Sequence, residues 1–63
     1  MRFKIKQSHD NQWFFVIEAA GNYETLATSE MYESRGACEH AIDVIRQQAG
    51  SATVTEETAS GAR

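Results

Sequence analysis

Three β-prone stretches followed by one amphipathic helical pattern account for nearly every apolar residue of this 63-residue chain. In the first stretch, residues 2–7, polar or basic side chains alternate with apolar ones, which is typical of a strand with one buried face. Phe3 and Ile5 fall on that face, and Lys4 and Lys6 fall on the other. We therefore expect a half-buried strand here.

Residues 12–19 carry the strongest β signal, because aromatic and β-branched residues follow one another from Trp13 to Ile17. Both faces of this predicted central strand are apolar, with Phe14 and Val16 opposite Trp13 and its neighbours. A single helix covers only one face of a sheet. Phe14 and Val16 therefore either lie singly on the surface or are covered by a second chain.

Two turn-forming segments separate the predicted strands. Residues 8–11 contain Asp and Asn, which bond to their own backbone, and Asn11 tolerates a positive φ. Residues 20–22 contain Gly and Asn, which favour left-handed backbone conformations. A weaker β signal over residues 23–29 then completes a three-stranded antiparallel sheet.

Residues 35–49 form the only convincing helical pattern. Ser34 is the predicted N-cap, and Gly50 is the predicted stop in a left-handed conformation. The apolar residues of this segment recur at intervals of three and four, the spacing of one helical face. They are Cys38, Ala41, Ile42, Ile45 and Ala49.

These elements predict an α+β domain over residues 1–58, in which a C-terminal helix packs on the three-stranded sheet. Residues 51–58 are expected to form either a short C-terminal strand, because Thr-Val-Thr is β-prone, or the start of a disordered tail, and residues 59–63 are expected to be a flexible tail. The predicted core consists of Phe3, Ile5, Trp13, Phe15, Ile17, Leu26, Cys38, Ala41, Ile42 and Ile45.

The small size of the domain predicts an additional source of stability. A chain of this length buries only about 60% of the surface that its unfolded form exposes. Cys38, the single cysteine, excludes an internal disulfide and suits a reducing cytoplasm. Together with His9 and His40 it also lacks the spacing of a zinc site. Association into a homodimer is therefore expected.

The charge of the chain restricts its partners. Six basic and nine acidic residues give a net charge of −3, which disfavours a nucleic-acid-binding protein. The N-terminal residues do not resemble a signal peptide, and no apolar run approaches the roughly 20 residues of a membrane span. We expect a soluble, cytoplasmic protein that does not contact membranes.

No group of residues predicts an enzyme. Cys38 and His40 could form a nucleophile and base, but two positions at this spacing point about 200° apart on a helix. His9 and Asp10 are neighbours in a turn and lack a nucleophile beside them. We therefore predict no catalytic residue, no metal ligand and no bound cofactor. The enzymatic alternative is a site formed between two subunits from His9, Asp10 or Tyr32.

Two binding sites remain as alternatives. Lys4 and Phe14 could share a sheet face that binds single-stranded nucleic acid weakly, by charge and by stacking. Trp13 and Tyr32 could line a ligand groove, and anchoring of the loop before the helix explains the same residues. The sequence alone does not separate these interpretations.

Four segments resemble the YegP-like domains, a family of uncharacterised bacterial and archaeal domains. The resemblance covers about residues 3–58, and the segment before the helix is its most specific part. These segments are Asp10-Asn11-Gln12-Trp13-Phe14-Phe15, Ala19-Ala20-Gly21-Asn22, Thr28-Ser29-Glu30-Met31-Tyr32-Glu33-Ser34, and Ala41-Ile42 with Ile45-Arg46.

The resemblance implies an assembly and no activity. YegP-like proteins carry one or two copies of the unit, and the one-copy proteins are dimers, which implies a homodimer here. In two-copy proteins the segment after the first helix opens the next copy. We therefore expect residues 53–57 to pair with the sheet of a partner subunit, so that Thr53, Val54 and Thr55 join Phe14 and Val16 as interface residues. The predicted function is a non-enzymatic binding or structural module.

Overall fold

A computed structural model describes residues 1–58 of the chain. It contains three strands, one α-helix and a short 3-10 helix, in an α+β arrangement that confirms the predicted fold class. The elements are β1 (Arg2–Gln7), β2 (Trp13–Glu18), β3 (Thr25–Thr28), α1 (Arg35–Gln48) and the 3-10 helix Ala49–Ser51.

The sheet is antiparallel throughout, in the order β1-β2-β3. Phe3 pairs with Ile17 and Ile5 pairs with Phe15, which places these four side chains on one face of the sheet. The rings of Phe3 and Phe15 lie 5.9 Å apart at an angle of 57°, a favourable tilted arrangement. This face is the one that α1 covers.

The helix begins as predicted, because the hydroxyl oxygen of Ser34 accepts a hydrogen bond from the Ala37 amide at 3.1 Å. Phe15, Cys38 and Ile42 form the buried centre of the domain. Cys38 has no exposed surface (0%), which fits a small side chain packed against Phe15 of the sheet. The partly buried residues packed around them are Phe3, Ile5, Trp13, Ile17, Tyr32, Ala41 and Ile45.

Leu26 was wrongly predicted to be in this core, since 55% of it is exposed. The register explains the difference. Ile17 pairs with Ala27 and Glu18 pairs with Thr25, so that Leu26 is the extra residue of a bulge. All of β3 is exposed, because α1 packs on β2 and leaves β3 uncovered.

Gly50 was also wrongly predicted to end the helix in a left-handed conformation. Among the glycines of the described residues, Gly21 has a positive φ (90°) and Gly50 does not. The last helical turn tightens into the 3-10 helix, in which the Ala52 amide donates to the Ala49 carbonyl at 3.1 Å. This bond closes the helix end without a chain reversal.

The two turns contain the predicted left-handed residues, and the second turn is followed by one that was not predicted. Asn11 has a φ of 67°, as predicted for the first turn. In the second turn Gly21 takes a positive φ, and so does Tyr23, with a φ of 57°. An aromatic residue is uncommon in this region, so the Tyr23 backbone is held there by its surroundings.

The C-terminal segment, residues 52–58, forms neither helix nor strand and is exposed along its whole length. Val54 is 97% exposed. The fourth strand and its exchange therefore stay predictions. The predicted tail, residues 59–63, lies outside the described residues.

Candidate functional site

The sheet face opposite α1 holds two of the predicted interface residues, Phe14 and Val16. Phe14 is half-buried, whereas Val16 is only 6% exposed within a single chain. Val16 lies between Lys4 of β1 and Thr28 of β3 in the register of the sheet. Val16 therefore has little surface left for a partner, and Phe14 retains part of its own.

A charged cluster lies at one end of the same face. Glu18 is 8% exposed, and its carboxylate accepts a hydrogen bond from the Arg2 guanidinium at 2.5 Å. This bond, reinforced by the charges of Arg2 and the two lysines of β1, holds the pKa of Glu18 below its ordinary value. Arg2 also lies 3.8 Å from the ring centroid of Tyr23, in cation–π geometry.

This charged cluster was not predicted from the sequence. The signal was present, because a hairpin centred on residues 8–11 brings Arg2 opposite Glu18. The positive φ of Tyr23, which sets the position of its ring, has no comparable sequence signal. The cluster is structural, since it joins the ends of β1 and β2 to the second turn.

The remaining cations of β1 are unpaired. Lys4 and Lys6 lie on the same face as Arg2, and neither forms a salt bridge with another of residues 1–58. Lys6 pairs with Phe14 across the strands. This face therefore offers two positive charges beside an aromatic ring.

Among residues 1–58, open grooves border the helix at its β1 side and at its C-terminal end. The first, here called the β1 groove, has a volume of about 480 Å³ and lies between β1 and α1. Phe3, Ile5 and Ile42 give it an apolar wall, and Arg46 stands at its helical side. The second, of about 570 Å³, lies at the C-terminal end of the helix beside Val44 and Ala52.

Trp13 and Tyr32, the predicted ligand-groove residues, anchor the loop before the helix. Their backbones exchange two hydrogen bonds of 2.7 Å, and the Tyr32 ring stacks on Phe15 at 6.4 Å. The guanidinium of Arg35 lies 6.0 Å from the Trp13 ring. These contacts support anchoring, and neither residue lines either of the two grooves.

Two of the candidate catalytic residues are buried or hydrogen-bonded: Cys38 is buried, and Asp10 accepts a hydrogen bond from Ser8. Burial between the helix and the sheet raises the pKa of the Cys38 thiol, so the thiol is protonated at neutral pH. Ser8 donates a hydrogen bond to Asp10, and this bond lowers the pKa of that carboxyl. Within residues 1–58, no group of three or more His, Cys, Asp or Glu side chains is arranged to hold a metal ion.

Comparison with known families assigns the chain. Residues 8–56 match the model of a domain of unknown function, DUF1508. The chain belongs to this family. The match includes the first turn, the whole sheet after β1, the helix and most of the C-terminal segment.

Curated relatives in the family differ in length. The chain is 46% identical over 44 residues to the UPF0339 protein YegP of Escherichia coli K12, and the same holds for YegP of Shigella flexneri. These alignments span 70% of this chain but only 39% of each YegP chain. A UPF0339 protein of Treponema denticola is 36% identical over 55 residues, which span 87% of this chain and 93% of that relative.

The resemblance to YegP-like domains is thus confirmed, and the family name carries no activity. Among residues 1–58, the helix is neither long nor apolar enough to cross a membrane.

Proposed function

We propose that this protein is a non-enzymatic homodimeric module, in which residues 53–57 of each subunit add a strand to the sheet of the other. One observation carries the proposal: Val54, the apolar centre of a β-prone segment, is 97% exposed in the single chain. A segment of this kind gains stability only when its backbone and its apolar side chain find a sheet.

The lengths of the relatives support a dimer. A family containing YegP chains, in which this domain aligns to 39% of the length, also contains a chain that aligns over 93% of its length. Two subunits of the shorter kind can supply together what one longer chain supplies alone. Exchange of a terminal element between identical chains is a low-cost route to a symmetric dimer.

The proposed binding role is supported by the side chains that the fold brings together. The described surfaces offer an apolar groove, a pair of unpaired lysines and exposed strand edges, which suit association better than bond-breaking chemistry. The buried, protonated thiol of Cys38 fits a protein of the reducing cytoplasm.

Sedimentation velocity of a Val54→Asp variant tests the proposal. A carboxylate at position 54 would be desolvated in a shared sheet, so we expect the dimer to dissociate while the helical signal in circular dichroism is unchanged. Val44→Asp is the matched control, because Val44 is also an exposed valine (36%) but lies on the helix. A Val54→Asp dimer as tight as the parent would refute the exchange.

A second candidate function, weak binding of single-stranded nucleic acid, is favoured by the position of Lys6 directly across from Phe14. Stacking on an aromatic ring beside cations is how such surfaces bind. Fluorescence anisotropy of a labelled oligonucleotide at low salt should then show binding that Lys6→Gln weakens. Equal anisotropy with and without protein would remove this candidate.

A further inference from the structure

We propose that the sheet face opposite α1 binds single-stranded nucleic acid over two phosphates, and that Glu18 keeps Arg2 out of this site. This site rests on the second candidate function, weak binding of single-stranded nucleic acid, and gives that function its contacts and its footprint. By strand alternation the face opposite α1, here called the open face, carries Arg2, Lys4, Lys6, Phe14, Val16 and Glu18.

Positive charge is concentrated on the open face although the chain as a whole is acidic. Three of the six basic residues of the chain, Arg2, Lys4 and Lys6, lie on this face. Within residues 1–58, Glu18 is the one acidic residue of the three strands, and the others lie between elements, in α1 or in the C-terminal segment. The net charge of −3 therefore arises on other surfaces, and the open face attracts a polyanion.

Glu18 neutralises one of these three cations. Its carboxylate accepts a hydrogen bond from the Nε of Arg2 at 2.5 Å, and the Arg2 guanidinium lies 3.8 Å from the ring centroid of Tyr23. Because Glu18 is buried in β2, its carboxylate stays beside Arg2 and cancels the charge of the guanidinium. Lys4 and Lys6 are left for an anionic ligand, since neither forms a salt bridge within residues 1–58.

The two lysines match the backbone of single-stranded nucleic acid. Both are exposed, and they lie two residues apart on one β-strand, which separates them by about 7 Å. Neighbouring phosphates of an extended single-stranded nucleic acid have a similar separation, so each lysine can contact one phosphate. The open face therefore provides a footprint of two phosphates.

Phe14 supplies a surface for one base. It pairs with Lys6 across the strands and is half-buried, so its ring lies beside the lysine and keeps part of its surface exposed. Val16, which pairs with Lys4, is buried and has no ring. A nucleotide whose phosphate contacts Lys6 can therefore stack its base on Phe14, whereas the nucleotide at Lys4 contributes charge alone. An acidic peptide could use the lysines but has no base to stack, so the ring favours nucleic acid.

The salt dependence of binding counts the phosphate contacts. Fluorescence anisotropy follows a labelled four-nucleotide oligothymidylate on the full chain from about 20 to about 200 mM salt. Two contacts predict that the binding constant falls about 25-fold over this range, since each contact to single-stranded nucleic acid contributes a slope of about −0.7. Lys4→Gln or Lys6→Gln should each reduce the fall to about fivefold. Arg46→Gln is the matched control, because Arg46 is an exposed cation of α1 on the other side of the sheet.

Glu18→Gln tests whether Glu18 keeps Arg2 out of the site. Without the carboxylate Arg2 becomes a third free cation, so the fall over the same salt range should increase to about 125-fold. Arg2→Gln tests the same pair from the other side, because it leaves the Glu18 carboxylate uncompensated, and it should reduce the fall to about fivefold. Circular dichroism checks that each variant is folded. A folded variant of either kind with the salt dependence of the parent would overturn the role of Glu18.

Phe14→Leu tests the stacking, because it keeps an apolar side chain without the ring. It should weaken binding of the oligothymidylate at least about fivefold and leave the salt dependence unchanged. An abasic oligonucleotide with the same phosphates should bind the parent and Phe14→Leu equally. Oligothymidylate that binds the parent and the lysine and Phe14 variants equally would overturn this site and leave the second candidate function intact. No anisotropy change at the lowest salt, or a tetraglutamate peptide bound as tightly as the oligothymidylate, would overturn both.

Discussion

The centre of β2 and the C-terminal segment are both β-prone, yet in the single chain the first is buried and the second is exposed. Phe15 is 3% exposed and Val54 is 97% exposed. The difference lies in what the chain provides around each of them. Phe15 lies in the central strand of the sheet and under the helix. Val54 follows the last helix, in a segment that forms no strand within residues 1–58.

Local β propensity and burial are therefore separate properties. Propensity describes how well a side chain fits a pleated, half-buried surface. Burial requires that another element supply that surface. Residues 2–48 supply it for themselves, and under the proposed strand exchange the segment that follows obtains it from a second chain.

The largest expected effect is at Phe15. Phe15→Ala removes the ring that contacts Phe3 and Tyr32 and leaves a cavity under α1, so we expect a loss of about 3–5 kcal/mol in the free energy of unfolding. Urea denaturation at fixed protein concentration measures it. Phe15→Leu, a smaller change, keeps the measurement possible if the alanine variant does not fold. A loss below about 1 kcal/mol for Phe15→Ala would remove the contrast with Val54, since such a value is typical of surface positions.

Glu18 differs from Phe15 in that it is a charged residue buried in the sheet, where it bonds to Arg2. Its pKa is lowered in the folded state by Arg2, so its contribution to stability is present above the unfolded pKa of about 4.3 and is lost as the pH falls through the lower, folded value. Glu18→Gln should therefore be less stable than the parent at pH 7. The difference should shrink in acid, as followed by thermal denaturation at several pH values. A pH-independent difference would contradict the salt bridge as its cause.

The cap of α1 should have a moderate effect. Ser34→Ala removes the acceptor for the Ala37 amide and should cost about 1 kcal/mol, measured by urea denaturation. Ser34→Asp, which can cap equally well, should retain most of the stability. If both variants lose the same amount, the hydroxyl contributes by some route other than capping.

The smallest effect is expected at Leu26. Because 55% of Leu26 is exposed in the bulge of β3, Leu26→Thr should change the free energy of unfolding by less than about 0.5 kcal/mol. Urea denaturation at fixed protein concentration measures this change. A loss above about 1 kcal/mol would contradict a surface position for Leu26.

Much of the fold could be predicted because periodicity and turn chemistry are local. The alternation in residues 2–7 and the apolar spacing from Cys38 to Ile45 each specify an element without reference to the rest of the chain. The prediction failed at Leu26, where the bulge depends on how β3 meets β2. It failed at Gly50, because helix ends depend on competing hydrogen bonds.

Less of the candidate site could be predicted. The β-prone segment 53–55 and the basic face of β1 are visible in the sequence. The β1 groove exists only once Ile42 and Arg46 of the helix lie beside Phe3 and Ile5. For Val16, the sequence suggested an interface where the structure shows burial within one chain. Its apolar side chain suggested a partner, and its burial between neighbouring strands occurs within one subunit.

Light scattering across a dilution series, on the full chain and on a chain that ends at Gly50, decides whether the C-terminal segment joins two subunits. Strand exchange predicts that the full chain has twice the 7.0 kDa mass of one subunit and that the shortened chain is monomeric or unfolded. Circular dichroism of the shortened chain separates those two states. A shortened chain that dimerises with unchanged affinity, or a full chain that stays at 7.0 kDa at every concentration, would contradict strand exchange.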